Sequence, residues 1–305
     1  MIRSTMNPFD WALLIGLSIL WGGSFFFIEV AVKSIPPLTL GALRVSIAAL
    51  FLWLLVGALR LNVKFPRRVW LAFLVMGLLN NAIPFTLFAS AQLEIASALA
   101  AILNATTPLF TVLVAAIFLN DEKPTALKFL GVIIGFCGVV IMIGADVLGS
   151  ELLGATLVAI VAQLACLAAA ISYAFAGAFG RRFSRYGVHP ILTATGQLTA
   201  SSIILWPLAL FYDGVSAGLG MLDLAPLLAM LGLAIASTAL AYVIYFKLLA
   251  SVGSTNLLLV TFLVPITASL LGIFVLGEQL SLSDVVGMAF IGIGLSAIDG
   301  RLWRR

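Results

Sequence analysis

Ten apolar runs, each about long enough to cross a lipid bilayer, follow one another along this chain with only short breaks between them. Charged residues or Pro/Gly clusters mark the breaks. They delimit spans at about 9–32, 37–59, 68–91, 95–119, 125–144, 152–178, 189–212, 224–246, 253–276 and 281–300. About 20 apolar residues in a helix span a hydrocarbon core of roughly 30 Å, and a segment in lipid must satisfy its own backbone hydrogen bonds. The sequence therefore predicts an all-α membrane protein of ten transmembrane helices. A buried globular core does not account for the pattern. Hydrophobic residues make up 63% of the 305 and charged residues 9%, whereas a soluble domain carries about 25% charged residues. Alternating ten-residue strands, the mark of a membrane barrel, are not seen. The first run is too long for a signal-peptide core and lacks a small-residue cleavage site, which predicts a retained first helix.

Every loop between the runs is short, so the distribution of Lys and Arg sets the orientation. With the N-terminus in the cytoplasm, 14 of the 16 fall on the inner side. They are Arg3; Arg60, Lys64, Arg67 and Arg68; Lys123 and Lys128; Arg181, Arg182 and Arg185; Lys247; and Arg301, Arg304 and Arg305. Lys33 alone is outside, and Arg44 lies within a helix. Glu29, Glu94, Asp146, Glu151, Asp213, Asp223, Glu278 and Asp284 fall at or near outer ends. We expect both termini in the cytoplasm of a bacterial cell and the body in its inner membrane. The net charge of +4 then reflects topology, and no nucleic-acid partner is implied. Cys137 and Cys166 lie inside apolar runs, which suits small buried hydrophobes and implies neither a disulfide nor a metal site.

The chain repeats itself. "SALAAILNATTPLFTVLVAAIFLNDE" is echoed by "STNLLLVTFLVPITASLLGIFVLGE". Ser97, Pro108, Leu113 and Leu119 match Ser254, Pro265, Leu270 and Leu276 at an offset of 157. After a one-residue gap Glu122, Gly131, Gly138 and Gly144 match Glu278, Gly287, Gly294 and Gly300 at 156. Earlier in each half, Pro37 and Trp53 match Pro190 and Trp206 at 153, and Gly77 matches Gly232 at 155. The collinear order of these matches argues for two repeats, residues 1–146 and 147–305, of five helices each. Five is odd, so the halves have opposite orientation. Inverted repeats are a hallmark of secondary transporters, which bind their solute near mid-membrane at the repeat interface.

Ten helices as five plus five, with "LWGGSFF" in the first, "LGALRVSIAALFLWL" in the second, and "PLFTVLVAAIFLNDE" and "PITASLLGIFVLGEQLSLSDVVG" closing the halves, resemble the drug/metabolite transporter superfamily, EamA type. The likeness covers nearly the whole chain, and within that superfamily it is most similar to the bacterial amino-acid exporters. The resemblance implies helices around a central cavity, lined mainly by the first, third and fourth helix of each half. It also implies export of small metabolites from the cytoplasm without a cofactor.

Several side chains are candidates for such a cavity. Ser97, Asn104 and Thr111 are seven apart and form one stripe, with Thr107 and Pro108 between them. The second half has Ser254, Thr261 and Pro265. A mid-helix proline frees a carbonyl four residues earlier, that of Asn104 here and that of Thr261 in the repeat. Freed acceptors at that depth face protein or a wet cavity, so Asn104, Thr107 and Thr261 read either as cavity lining or as helix–helix hydrogen bonding. "GLLNNAIPF" puts Asn80 and Asn81 at mid-depth ahead of Pro84, with Asn81, Phe85, Phe88 and Gln92 on one face. Two adjacent carboxamides in an apolar helix need partners. The repeat has Ile235 and Ala236 here, which favours a ligand contact. Trp21, its counterpart Tyr173, Gln163 and Tyr242 complete the expected substrate-binding set. Tyr242 and Tyr245 fit a pocket and an interfacial aromatic belt equally. Pro84, Pro108 and Pro265 are the expected hinges.

Ionisable groups within the bilayer are functional candidates by default. Arg44, two turns into the second helix, and Glu29, near the outer end of the first, are expected either to pair as an outer gate or to leave Arg44 snorkelling to the surface. The absence of a mid-membrane Asp, Glu or His disfavours an embedded proton relay. Gly131 and Gly135 form a small-residue pattern that reads as packing within a monomer ahead of a dimer seam. The expected function is a secondary exporter of small metabolites, amino acids first, with a multidrug exporter as the alternative. A lipid-modifying enzyme would need paired carboxylates, a nucleophile–base set or metal ligands at one depth, and the sequence offers none. The expected partners are a small-molecule substrate and membrane lipid.

Overall fold

The computed structural model describes residues 6–118, 125–149, 153–214, 223–300 and 302–303. Among these residues every regular element is helical. We label them α1 (Pro8–Ala31), α2 (Pro37–Ala58), α3 (Arg67–Ala91), α4 (Ser97–Phe118), α5 (Ala126–Gly149), α6 (Leu153–Arg185), α7 (Pro190–Tyr212), α8 (Leu224–Gly253), α9 (Val260–Leu276) and α10 (Leu282–Asp299). Among the described residues, nine of these helices are long and apolar enough to cross a membrane, and α9 is a shorter apolar helix. Arg3, Glu122, Lys123, Glu151, Arg301, Arg304 and Arg305, used above to orient the chain, lie outside the described residues.

Helix starts follow local chemistry. Asn7 accepts from the Asp10 backbone N–H at 2.8 Å and Asp10 accepts from that of Asn7, a capping box that satisfies two donors otherwise left open at the start of α1. Ser281 and Asp284 do the same for α10. The proline at the first position of α1, α2 and α7 costs nothing, because that N–H has no helical partner. Three helices run past their expected ends. α6 reaches Arg185 and not 178, because Arg182 and Arg185 oppose the negative end of the helix instead of breaking it. α8 continues to Gly253, where a φ of 76° ends it, and α5 continues to Gly149, beyond its expected end at 144.

The helices pack in matched pairs. α5 lies along α10 and α2 along α7; α1 packs on α9 as α4 does on α6, and α1 on α8 as α3 does on α6. Two of these seams are reciprocal at the level of single atoms. Trp53 Nε1 donates to Thr199 Oγ1 at 3.0 Å and Trp206 Nε1 donates to Ser46 Oγ at 2.9 Å. Trp53 and Trp206 are 153 residues apart, and so are Ser46 and Thr199. Along α5 and α10, a methyl at Gly131 would lie 2.5 Å from the Gly294 carbonyl oxygen, and one at Gly138 would lie 2.5 Å from that of Gly287. Only glycine lets the two backbones approach so closely. The small-residue face of α5 is thus covered by α10 of the same chain. Large apolar side chains such as Phe211, Phe274 and Ile117 cover the exterior, as lipid contact requires.

Candidate functional site

Helices α3 and α8 each contain a widened π turn in their middle, at Leu78–Ala82 and Ile235–Leu240. Such turns are frequent at functional sites, because the extra residue leaves carbonyls for other partners. In α3 the cause is legible: Pro84 has no N–H to give the Asn80 carbonyl, and the Ile83 N–H bonds Leu78 instead. Hydroxyls from neighbouring helices serve the carbonyls at this turn. Ser172 of α6 donates to Leu79 O at 2.7 Å and Ser201 of α7 donates to Gly77 O at 2.9 Å. In α8 no proline is involved, and Thr238 donates to Leu233 O at 2.8 Å, five residues back.

These turns place a polar network in the interior. Asn80 donates from Nδ2 to Gln197 Oε1 of α7 and to the Tyr242 hydroxyl of α8, both at 3.2 Å. Asn81 donates to the same hydroxyl at 3.1 Å. Asn81 is fully buried, and its Oδ1 has no partner among the described residues. Tyr242 stacks on Phe246 at 6.2 Å, so it belongs to this network and not to an interfacial belt. Beside it, Arg44 of α2 donates from Nε to Thr238 Oγ1 at 2.8 Å. Its guanidinium carbon lies 3.6 Å from the centroid of the Phe85 ring, and the residue is 7% exposed. The hydroxyls of Tyr173 and Tyr242 are its electrostatic neighbours. Four helices, α2, α3, α6 and α8, thus converge on one cation, and α7 joins them through Gln197.

Arg44 and Glu29 do not pair. Arg44 sits seven residues into α2, about 10 Å along the axis at 1.5 Å per residue, whereas Glu29 lies in the last turn of α1. Arg44 points into the interior toward Thr238 and Phe85, so it does not snorkel either. Glu29 has one buried oxygen, Oε2, without a partner among the described residues, and Glu278 and Lys33 are its charged neighbours. Glu278 itself accepts from the backbone N–H groups of Ser97 at 2.8 Å and Ala98 at 3.0 Å, capping α4.

The remaining candidates lie apart from the Arg44–Tyr242 network or reach it through rings. Thr107 Oγ1 donates to the Asn104 carbonyl at 2.7 Å, so the acceptor freed by Pro108 is satisfied within its own turn. Thr261 donates to Leu258 O at 2.7 Å. Pro265 stays inside an unbroken helical stretch, whereas a turn at Ala105 and Thr106 interrupts α4 just before Pro108. Tyr173 stacks on Phe88 at 6.3 Å, and Trp21 meets Tyr245 at 5.6 Å. Gln163 is fully buried in α6. Among the described residues no three His, Cys, Asp or Glu side chains converge on a metal site. Gln197 and Thr238 were absent from the expected set. A signal for Gln197 existed, since α7 is the least apolar of the nine long spans.

Comparison with known proteins agrees with this architecture. A solved structure described only as the crystal structure of a protein superposes with a TM-score of 0.67, covering 94% of this chain and 97% of that one at 22% identity. The inner membrane transporter YedA of Escherichia coli K12, itself uncharacterized, is 28% identical over 91% of this chain and 86% of its own length. The uncharacterized transporter YoaV of Bacillus subtilis is 23% identical over 92% and 94%. A probable amino-acid metabolite efflux pump of Escherichia coli K12 is 24% identical over 98% of both chains. The model of the EamA-like transporter family matches twice, over residues 11–144 and 160–298. The chain is therefore a multi-pass membrane protein and belongs to the EamA-like transporter family.

Proposed function

We propose that this transporter exports small metabolites, amino acids foremost, from the cytoplasm across the bacterial inner membrane, and that it does so by alternating access between two inverted five-helix repeats. The observation that carries the reading is the buried network of Arg44, Asn80, Asn81, Gln197, Thr238 and Tyr242, set where helices of both halves meet inside an apolar bundle. Carboxamides, hydroxyls and rings around one cation suit a small solute with both polar and apolar parts. The double match of the family model supports the repeat. So does the reciprocity of Trp53–Thr199 with Trp206–Ser46 and of Gly131–Gly294 with Gly138–Gly287, since two-fold related surfaces contact each other in this way. The charge distribution supports cytoplasmic termini. Trp21, Phe85, Gln163 and Tyr173 surround the network in this reading, while Asn104, Thr107 and Thr261 line its approach and Pro108 hinges α4.

Purified protein in liposomes, loaded with a panel of labelled neutral and aromatic amino acids, tests the proposal. Saturable counterflow of at least one of them is the expected result. Saturable flux of cationic drugs with none of amino acids would favour the multidrug reading, and absence of any flux would refute export altogether.

A further inference from the structure

Arg44 is, among the described residues, a buried cation without a counter-anion. Among the described residues no carboxylate stands within ion-pair distance of it, and its hydrogen bonding ends with the one from Nε to Thr238. The guanidinium presents five N–H donors in a plane. Thr238 uses the one on Nε, and Phe85 covers one face of the plane at 3.6 Å. The end bearing both terminal nitrogens is left without an acceptor among the described residues. Removing such a charge from water is costly unless it is paired and hydrogen-bonded. A hydroxyl and a ring face supply neither a full charge nor four acceptors.

We infer that Arg44 anchors the carboxylate of the transported solute, end-on, through its two terminal nitrogens. This deepens the export reading above and rests on it. Three features select the ligand chemistry. The free edge of the guanidinium matches the two oxygens of a carboxylate, the bidentate geometry for which arginine is suited. The uncompensated charge is a single one, so a monoanionic head neutralises it, whereas a dianionic phosphate would leave a buried negative charge in its place. Asn81, joined to the network through the Tyr242 hydroxyl, has a buried Oδ1 without a partner among the described residues. That oxygen is an acceptor for an amine once the network opens, and the rings of Tyr173 and Tyr242 offer π faces to a cationic group. A zwitterionic amino acid supplies both ends. Anionic solutes that lack an amine retain the Arg44 contact and lose only the second one.

Calorimetry on the purified full chain in detergent tests the anchor with two matched probe pairs. 3-Phenylpropionate is compared with 2-phenylethylamine, and 4-methylpentanoate with 3-methylbutylamine. The carboxylate of at least one pair should bind about tenfold to a hundredfold more tightly than its amine, the range for charge-assisted hydrogen bonds. Arg44→Lys should keep part of that preference, and Arg44→Gln should bring the ratio near unity. Amines binding as tightly as carboxylates to the wild type would overturn the inference. So would a folded Arg44→Gln that keeps the preference. If Arg44→Gln does not fold, the wild-type ratio and Arg44→Lys decide alone. Preference for carboxylates without amino-acid flux in liposomes would leave the anchor standing and reject amino-acid export; amino-acid flux without the preference would do the reverse.

Discussion

Replacing Tyr242 by Phe removes one hydroxyl that serves two asparagines, and the cost falls unequally on them. Asn80 keeps its bond to Gln197 Oε1 at 3.2 Å. Asn81 loses the one partner of its Nδ2 while Oδ1 already has none, in a side chain with no solvent exposure. A buried donor left unsatisfied costs about 1–3 kcal/mol, and a lost bond with an alternative partner about 0.5–1.5 kcal/mol. Tyr242→Phe should therefore destabilise by about 2–3 kcal/mol. In an Asn81→Leu background the orphaned amide is gone, so the same substitution should cost only about 0.5–1 kcal/mol. The double-mutant cycle thus predicts a coupling of about 1–2 kcal/mol, well above the ~0.3–0.5 kcal/mol within which distant sites add. Reversible unfolding in mixed micelles measures it. Additive losses would refute the assignment of Asn81 and Tyr242 to one network.

Three further outcomes follow from packing and capping. Trp53→Phe and Trp206→Phe each remove one hydrogen bond across the α2–α7 seam. The two should lose equal stability to within ~0.5 kcal/mol, and a large disparity in unfolding would argue against two-fold equivalence. Gly138→Ala sets a methyl 2.5 Å from the Gly287 carbonyl oxygen, whereas a methyl at Gly144 meets nothing within 4 Å. The first should cost about 1–3 kcal/mol and the second be neutral or stabilising; equal melting shifts would contradict the seam. Glu278→Gln weakens the cap on α4 by about 1 kcal/mol, and hydrogen exchange should quicken at Ser97 and Ala98. Unchanged exchange there would show that the carboxylate does not hold that helix end.

Much of this structure is legible in the sequence because the bilayer is a demanding solvent. Among the described residues nine of the ten helices follow from apolar length, and α9, which is shorter, follows from the breaks that flank it. Helix ends fail where charges were read as breaks, as at Arg182 and Arg185, because an interface tolerates cations that a bilayer centre does not. Asn80, Asn81 and Pro84 stood out because two carboxamides and a proline conflict with an apolar helix, and the conflict marks the α3 π turn. The matching turn in α8 has no proline and gave no such signal, so Thr238 passed unnoticed. The expected pairing of Arg44 with Glu29 fails for a different reason. Depth along a helix can be counted from sequence, but which helix faces which is set by packing. The opening candidate stripe shows the same limit: whether Thr107 lines a cavity or satisfies the Asn104 carbonyl is a matter of one rotamer.

In the proposed mechanism the network around Arg44 and Asn81 opens alternately to the two sides of the membrane. That alternation is tested most directly by thiol labelling of Asn81→Cys in a background where Cys137 and Cys166 are replaced by Ala, using a membrane-impermeant reagent on oriented vesicles. Reaction from either face is expected, with transported amino acid slowing both. Reaction confined to one face under all conditions, or to neither, would contradict it.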